Sequence, residues 1–117
     1  RHMASTLFGI HGAALELRSQ RMGLITGNIA NAATPGYKAR DLDFSAALKA
    51  RLGGMDAGQA IAGATRFRVP VMPSMDGNTV EMATEQTAFA ENAVRYQATL
   101  NFLSSKFRGL LTALTGQ

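Results

Sequence analysis

The chain has 117 residues, 46% hydrophobic but only 7% aromatic, with no cysteine and a formal charge of +4. That length holds a single domain, and the scarcity of aromatic side chains suits a helical assembly better than a large aromatic core. Missing thiols exclude disulfide staples, thiolate metal sites and cysteine catalysis, no run approaches the roughly 20 apolar residues that span a bilayer, and the twelve basic residues are scattered as a solvated surface would scatter them.

Arg1-His2-Met3 reads as a cloning remnant. No basic segment followed by an apolar one stands at the start, so a cleaved secretory signal is not expected. Residues 4–33 are predicted to form a first helical arm, because Leu7, Ile10, Ala14, Leu17, Arg21, Leu24, Asn28 and Asn31 recur at the alternating three- and four-residue spacing of a coiled coil. A second stripe, Leu15, Met22, Ile25 and Ile29, occupies an adjacent face. Gly9, Gly12, Gly23 and Gly27 each cost about 1 kcal/mol against alanine inside a helix, so this arm depends on packing partners. His11 stands alone on it, without a neighbouring nucleophile or carboxylate, and reads as packed or solvated.

Thr34-Pro35-Gly36-Tyr37 is a turn signal: proline presets φ at the second turn position and glycine accepts the positive φ that a type II turn needs at the third. Thr34, preceding a proline, is biased away from helix, so the arm should stop near 31–33. Asn28 and Asn31 put amides where the stripe calls for apolar residues. They are either polar residues at a fraying end or partners for the backbone of the turn or of a neighbouring subunit.

Lys38 to Asp43 alternates charge and is expected to be an exposed loop. Asp41 and Asp43 have no histidine or further carboxylate beside them, which argues against catalysis or a metal and for salt bridges. Phe44, Ala47, Leu48 and Leu52 suggest a short amphipathic helix capped by Asp43. The glycine- and alanine-rich stretch 53–64 reads as a flexible linker or as a segment ordered only in an assembly. Arg66 to Val71 alternates basic and apolar residues like a short edge strand, with Pro70 and Pro73 forbidding a central one.

Asn78 and Glu81 have the spacing of a capping box. Beyond them Met82, Gln86, Phe89, Ala93, Tyr96, Leu100, Leu103, Phe107, Leu110 and Leu114 keep heptad spacing through a second arm, 80–115. The expected fold is therefore all-α: long N- and C-terminal helices packed as an antiparallel coiled-coil-like hairpin. An excursion at 34–79 of turn, short helix, linker and short extended segment joins them. The seam residues are Leu7, Ile10, Leu17 and Leu24 on one arm and Phe89, Tyr96, Leu100, Leu103, Phe107 and Leu110 on the other. A hairpin this narrow should leave Ile25, Ile29, Val94, Phe102 and Leu111 wet, and contiguous exposed apolar surface calls for a partner.

Two stretches also carry a resemblance. Asn-Ile-Ala-Asn at 28–31 and Thr-Pro-Gly-Tyr at 34–37, continued by Lys38-Ala39-Arg40-Asp41-Leu42-Asp43-Phe44, resemble the N-terminal signature of the flagellar axial proteins, the rod, hook and hook-junction family. Asp76 to Glu81, with Glu91 to Gln97 beyond, is similar to the C-terminal arm of the proximal rod members. The short span between the arms also fits these better than the distal rod or hook members with their larger inserted domains.

The resemblance implies a structural, non-enzymatic subunit with no cofactor and no small-molecule substrate. Its expected partners are copies of itself, other rod proteins, the membrane-ring/rod adaptor and the flagellar type III export apparatus, in the periplasmic rod of the basal body, with no nucleic acid and no membrane span. Asn28, Asn31, Thr34, Pro35, Gly36 and Tyr37 carry the family's motif and turn. Phe44 followed by Leu48 is similar to the Phe-x-x-x-hydrophobic pattern by which early flagellar substrates engage the export gate. From a different class, a small basic helical nucleic-acid binder remains the alternative, and its binding would weaken steeply with salt.

Overall fold

The computed structural model describes residues 3–116, with side chains described from residue 8 onward. Arg1 and His2 of the expected remnant, and the side chain of Leu7, lie outside the described residues. The elements are α1 (Met3–Ala30), β1 (Arg40–Leu42), α2 (Phe44–Leu52), α3 (Ala57–Ala64), β2 (Thr65–Phe67) and α4 (Met82–Thr115).

The long helices α1 and α4 pack antiparallel, as expected. Going up α1, its partners go down α4: His11 meets the ring of Phe102 at 4.7 Å, the Arg18 carbonyl accepts from Asn92, and Asn28 donates to Glu85. The molecule is correspondingly elongated, 64 × 26 × 18 Å, and α4 alone accounts for about 50 Å of that length at 1.5 Å per residue.

Between the two helices the chain makes its excursion. Helix α1 stops at Ala30, and the predicted turn follows, with Gly36 at φ +75° and the Tyr37 N–H donating to the Thr34 carbonyl at 3.2 Å. Asp43 caps α2 by accepting from the Ala46 N–H at 3.1 Å, as its position suggested.

Three expectations for this region are corrected. Lys38 to Asp43 is not an exposed loop: it contains β1, paired antiparallel to β2 with Asp41 opposite Arg66, and Ala39 and Leu42 are buried. The stretch 53–64 is not a linker, because Asp56 caps it by accepting from Gly58 and Gln59 and its alanines then favour helix, burying Ala60 and Ala64. The capping box at the start of α4 does not form. Asn78 turns instead toward the end of α1, and the Glu81 carboxylate accepts from the N–H groups of Val71 and Met72.

The apolar core sits in the middle third of the hairpin, where Leu17 on α1, Leu42 on β1, Ala47 on α2 and Ala64 on α3 converge, with Leu24, Phe44, Leu48 and Ile61 packed around them. Alanines dominate, so the elements approach closely. Ile25, expected to be wet, is fully buried, since α1 is covered at this level by both β1 and α4.

Helix α4 contributes little apolar bulk to this core. Its buried residues are Glu85, Ala88 and Asn92, a stripe displaced by one helical position from the heptad of large side chains. Small and polar groups pack against α1 at this level, and Phe89, Leu100 and Phe107 of the heptad remain exposed.

Candidate functional site

The family-like motif at the end of α1 is a junction. Asn28 is buried, and its side-chain amide treats Arg40 as a neighbouring strand would: Nδ2 donates to the Arg40 carbonyl at 2.7 Å and Oδ1 accepts from the Arg40 N–H at 3.0 Å. The same Nδ2 also donates to Glu85 Oε1 at 3.0 Å. One amide thus joins α1, the outer edge of β1 and α4, which satisfies backbone groups that would otherwise be buried without partners.

Glu85 is fully buried and accepts from Arg68 Nε at 2.7 Å and Nη2 at 3.2 Å. Arg68 Nη1 in turn lies 3.0 Å from Asp41 Oδ2, and Asp41 takes Arg21 Nε and Nη2 at 2.8 and 3.0 Å. Two arginines and two carboxylates therefore alternate as Arg21–Asp41–Arg68–Glu85. The charges cancel within the cluster, and such bidentate pairs recover the desolvation that a lone buried charge would not. Burial alone would raise the Asp41 carboxyl, but the Arg21 hydrogen bonds and charge, the Leu42 N–H and Arg68 together hold it below the usual carboxylate range. Arg21 is correspondingly raised, chiefly by its hydrogen bond to Asp41.

The second family-like stretch meets the first. Asn78 Nδ2 donates to the carbonyls of Asn31, Ala32 and Thr34, at 2.9, 3.1 and 2.7 Å, and so ties down the turn that follows α1. Gly36 N–H donates to Asp76, Thr79 N–H to Tyr37, and Ala39 N–H to the Thr79 hydroxyl at 2.8 Å. Asn31 folds back on Gly27 at 2.8 Å and accepts from the Thr34 hydroxyl at 3.0 Å. Gly77 has φ +78°, a conformation glycine adopts freely, and Lys38 donates to its carbonyl. Thr34, Pro35 and Gly36 stay exposed at the rim and Tyr37 is half-buried.

Sequence reasoning placed Asn28, Asn31 and the turn here but missed Arg21, Arg68, Glu85 and Asn78. The available signal for Glu85 was its place with Ala88 and Asn92 on a small-residue stripe that the more conspicuous leucine heptad obscured.

The other predicted residues fall apart into two groups. Leu17 is buried, and Ile10, Leu24, Phe44 and Leu48 are half-buried around the core or along α1. On α4, Tyr96 and Leu103 are half-buried, while Phe89 is 42% exposed, Phe107 56% and Leu114 81%, with Leu100 and Leu110 also exposed. Among the described residues no group of three His, Asp or Glu side chains could hold a metal ion, and no helix is long and apolar enough to cross a membrane.

A chain whose two sequence motifs close on each other while its longest helix leaves an apolar face uncovered has the anatomy of a building block, and its relatives bear this out. Residues 9–38, which include most of α1 and the turn, match the model of the flagella basal body rod protein family. A flagellar basal body rod protein FlgB of Cereibacter sphaeroides is 50% identical, over 93% of this chain and 94% of its own length. The chain belongs to the FlgB family of flagellar basal body rod proteins. The FlgB proteins of Aeromonas hydrophila, 42% identical over 94% of this chain and 93% of theirs, and of Escherichia coli K12, 40% identical over 86% and 87%, extend the similarity across both arms and the excursion between them.

This rod protein is a structural component of the flagellar basal body, in a family not known to be enzymatic. Membership implies association with other rod components.

Proposed function

We propose that the chain is a self-assembling subunit of the proximal rod, whose α1–α4 hairpins pack side by side into a tube and carry torque from the membrane ring to the distal rod. The observation that carries this reading is the apolar surface that α4 leaves uncovered: Phe89, Val94, Leu100, Phe107, Leu110, Leu111 and Leu114 are all exposed in a single chain. Covering such area is worth about 25 cal/mol per Å², and helix ridges set into a neighbour's grooves resist shear. In the assembly, Leu100, Leu103, Phe107 and Leu110 form the seam toward neighbouring copies and rod proteins, whereas Ile10, Leu17 and Leu24 hold the hairpin. The membrane-ring/rod adaptor would bind the same kind of surface at the rod's base.

The chain reaches that site through the flagellar type III export apparatus, with Phe44 and Leu48 engaging the gate. Both side chains pack against the core of the folded chain, so the gate would read them before folding. Phe44→Ala should therefore lower the exported amount while the variant remains soluble inside the cell; export at the parental level would remove the gate role.

The assembly reading is tested by supplying the chain, intact or with Phe107→Asp and Leu110→Asp together, to a motile bacterium lacking its own FlgB. The intact chain should restore motility and appear in purified basal bodies. The double variant should be exported, stay folded, and be absent from them. Motility with the double variant would refute the role of this face.

A further inference from the structure

Among the described residues, Arg18 is the arginine of the hairpin that is partly buried and has no carboxylate partner. Arg18, on α1, lays its guanidinium over the Phe44 ring at 3.9 Å to the centroid, a stacking that covers one face of the cation and leaves its N–H edge to be satisfied. Its Nε is buried and finds no acceptor, and among the described residues no carboxylate comes within ion-pair distance of it. Burial first, then the charges of Arg95 and Arg21, weaken its hold on its proton, with Glu91 opposing. A partly buried cation held among cations is costly unless an anion joins it.

Room for one exists beside it. Arg18, Ser19, Met22, Ala93, Tyr96 and Gln97 line a groove of about 300 Å³ between α1 and α4. Met22 and Ala93 offer an apolar wall, and Ser19, Tyr96 and Gln97 offer polar groups. A glutamate fits that chemistry, its methylenes against the apolar wall and its carboxylate at the guanidinium.

The chain itself has few carboxylates to spare. Of its eight Asp and Glu residues, Asp43 and Asp56 cap helices, Asp76 and Glu81 hold backbone N–H groups before α4, and Glu16, Asp41 and Glu85 hold other arginines. Only Glu91 is loosely engaged, 3.7 Å from Arg95 on its own exposed helix turn. With a net charge of +4, the occupant is better supplied from outside.

We propose that the groove beside Arg18 is a docking site for a glutamate side chain presented by a different, acidic protein. This inference stands on the free chain and does not depend on the rod reading.

The test uses the purified full chain and a short alanine-rich helical peptide with one central glutamate flanked by leucines, followed through the Arg18 Nε–H signal by NMR. The glutamate peptide should shift that signal, and its glutamine counterpart should bind about tenfold more weakly or worse, the factor expected for a charge-assisted hydrogen bond. Arg18→Gln should erase the difference. Because that change also removes the stacking on Phe44, Arg95→Glu gives an independent check: Arg95 is exposed, so the fold is kept, and a carboxylate supplied in cis should displace the peptide.

Equal binding of the two peptides, or undiminished binding by Arg95→Glu, would overturn the proposal. So would an equal response to acetate at the same concentration, which would mark a free-anion site. Self-association of the chain that is lost in Glu91→Gln would assign the groove to a second copy and overturn it as well.

Discussion

The junction at the end of α1 and the far half of α4 are built from opposite materials. In the junction, four charged side chains and three asparagines are held by each other and by backbone groups from nearby elements, with Glu85 and Asn28 fully buried. Along α4 beyond Asn101, six large apolar side chains, Phe102, Phe107, Leu110, Leu111, Leu114 and the half-buried Leu103, stand among polar ones, nearly all exposed, and the hydrogen bonds made there by Thr115 stay within the helix. A polar cluster that is satisfied internally is specific and finished. An apolar face that is not covered is unfinished, and its free energy is still available for association. The contrast shows how one chain can define its own shape while leaving its assembly to others.

The comparison breaks most visibly if the junction is cut at its centre. Glu85→Ala leaves Arg68 and Asn28 short of partners inside the protein and should cost the free chain about 3–5 kcal/mol, the usual penalty for orphaning one side of a buried pair. Urea unfolding followed by circular dichroism measures it, and a loss below about 1 kcal/mol would mean the cluster contributes little.

Asn28→Ala should come next, at about 2–3 kcal/mol, because the Arg40 N–H and carbonyl lose their partner while remaining under cover. Asn28→Asp is the sharper version: it restores an acceptor but puts a carboxylate against Glu85, so it should rescue little. Recovery to the parental midpoint in that variant would show that only the bond to the Arg40 N–H matters.

A smaller effect is expected from acid. The folded Asp41 carboxyl titrates below its ordinary value of 3.8, so the stability it contributes is fully present above that value and is lost as pH falls through the lower, folded one. Stability measured from pH 6 downward should therefore fall more steeply in the parent than in Asp41→Asn, which starts lower and is flatter at the acid end. Parallel curves would remove Asp41 from the acid limb.

The smallest effect should come from the exposed face. Phe107→Asp with Leu110→Asp should alter the unfolding free energy of the isolated chain by no more than about 0.5 kcal/mol for each site, while the same pair removes the chain from basal bodies. A large loss of stability in the free chain would mean that this face is covered in the monomer.

Much of the fold was legible because its signals are local. Heptad spacing located both long helices, Pro35-Gly36 located the turn, and Asp43 announced α2 by its capping chemistry. The excursion was less legible for a physical reason: alanine and glycine have no strong pattern, and only the Asp56 cap and the burial of Ala60 and Ala64 against other elements decide that 57–64 is a helix. Charges misled in the same way. Asp41 and Arg68 look like surface residues until β1 and β2 pair and bring them together. Asn78 has the spacing of a cap for α4, yet three carbonyls from the end of α1 compete for its amide.

By itself, then, the sequence determined the two helical arms, the turn between them and the family signature, since each rests on contacts within a few residues. Tertiary structure alone decided that α4 buries Glu85, Ala88 and Asn92 and leaves Phe107, Leu110 and Leu114 exposed, and it alone closed the junction. Both depend on groups far apart in the chain, and which face of a helix is buried is settled by what the rest of the molecule brings against it.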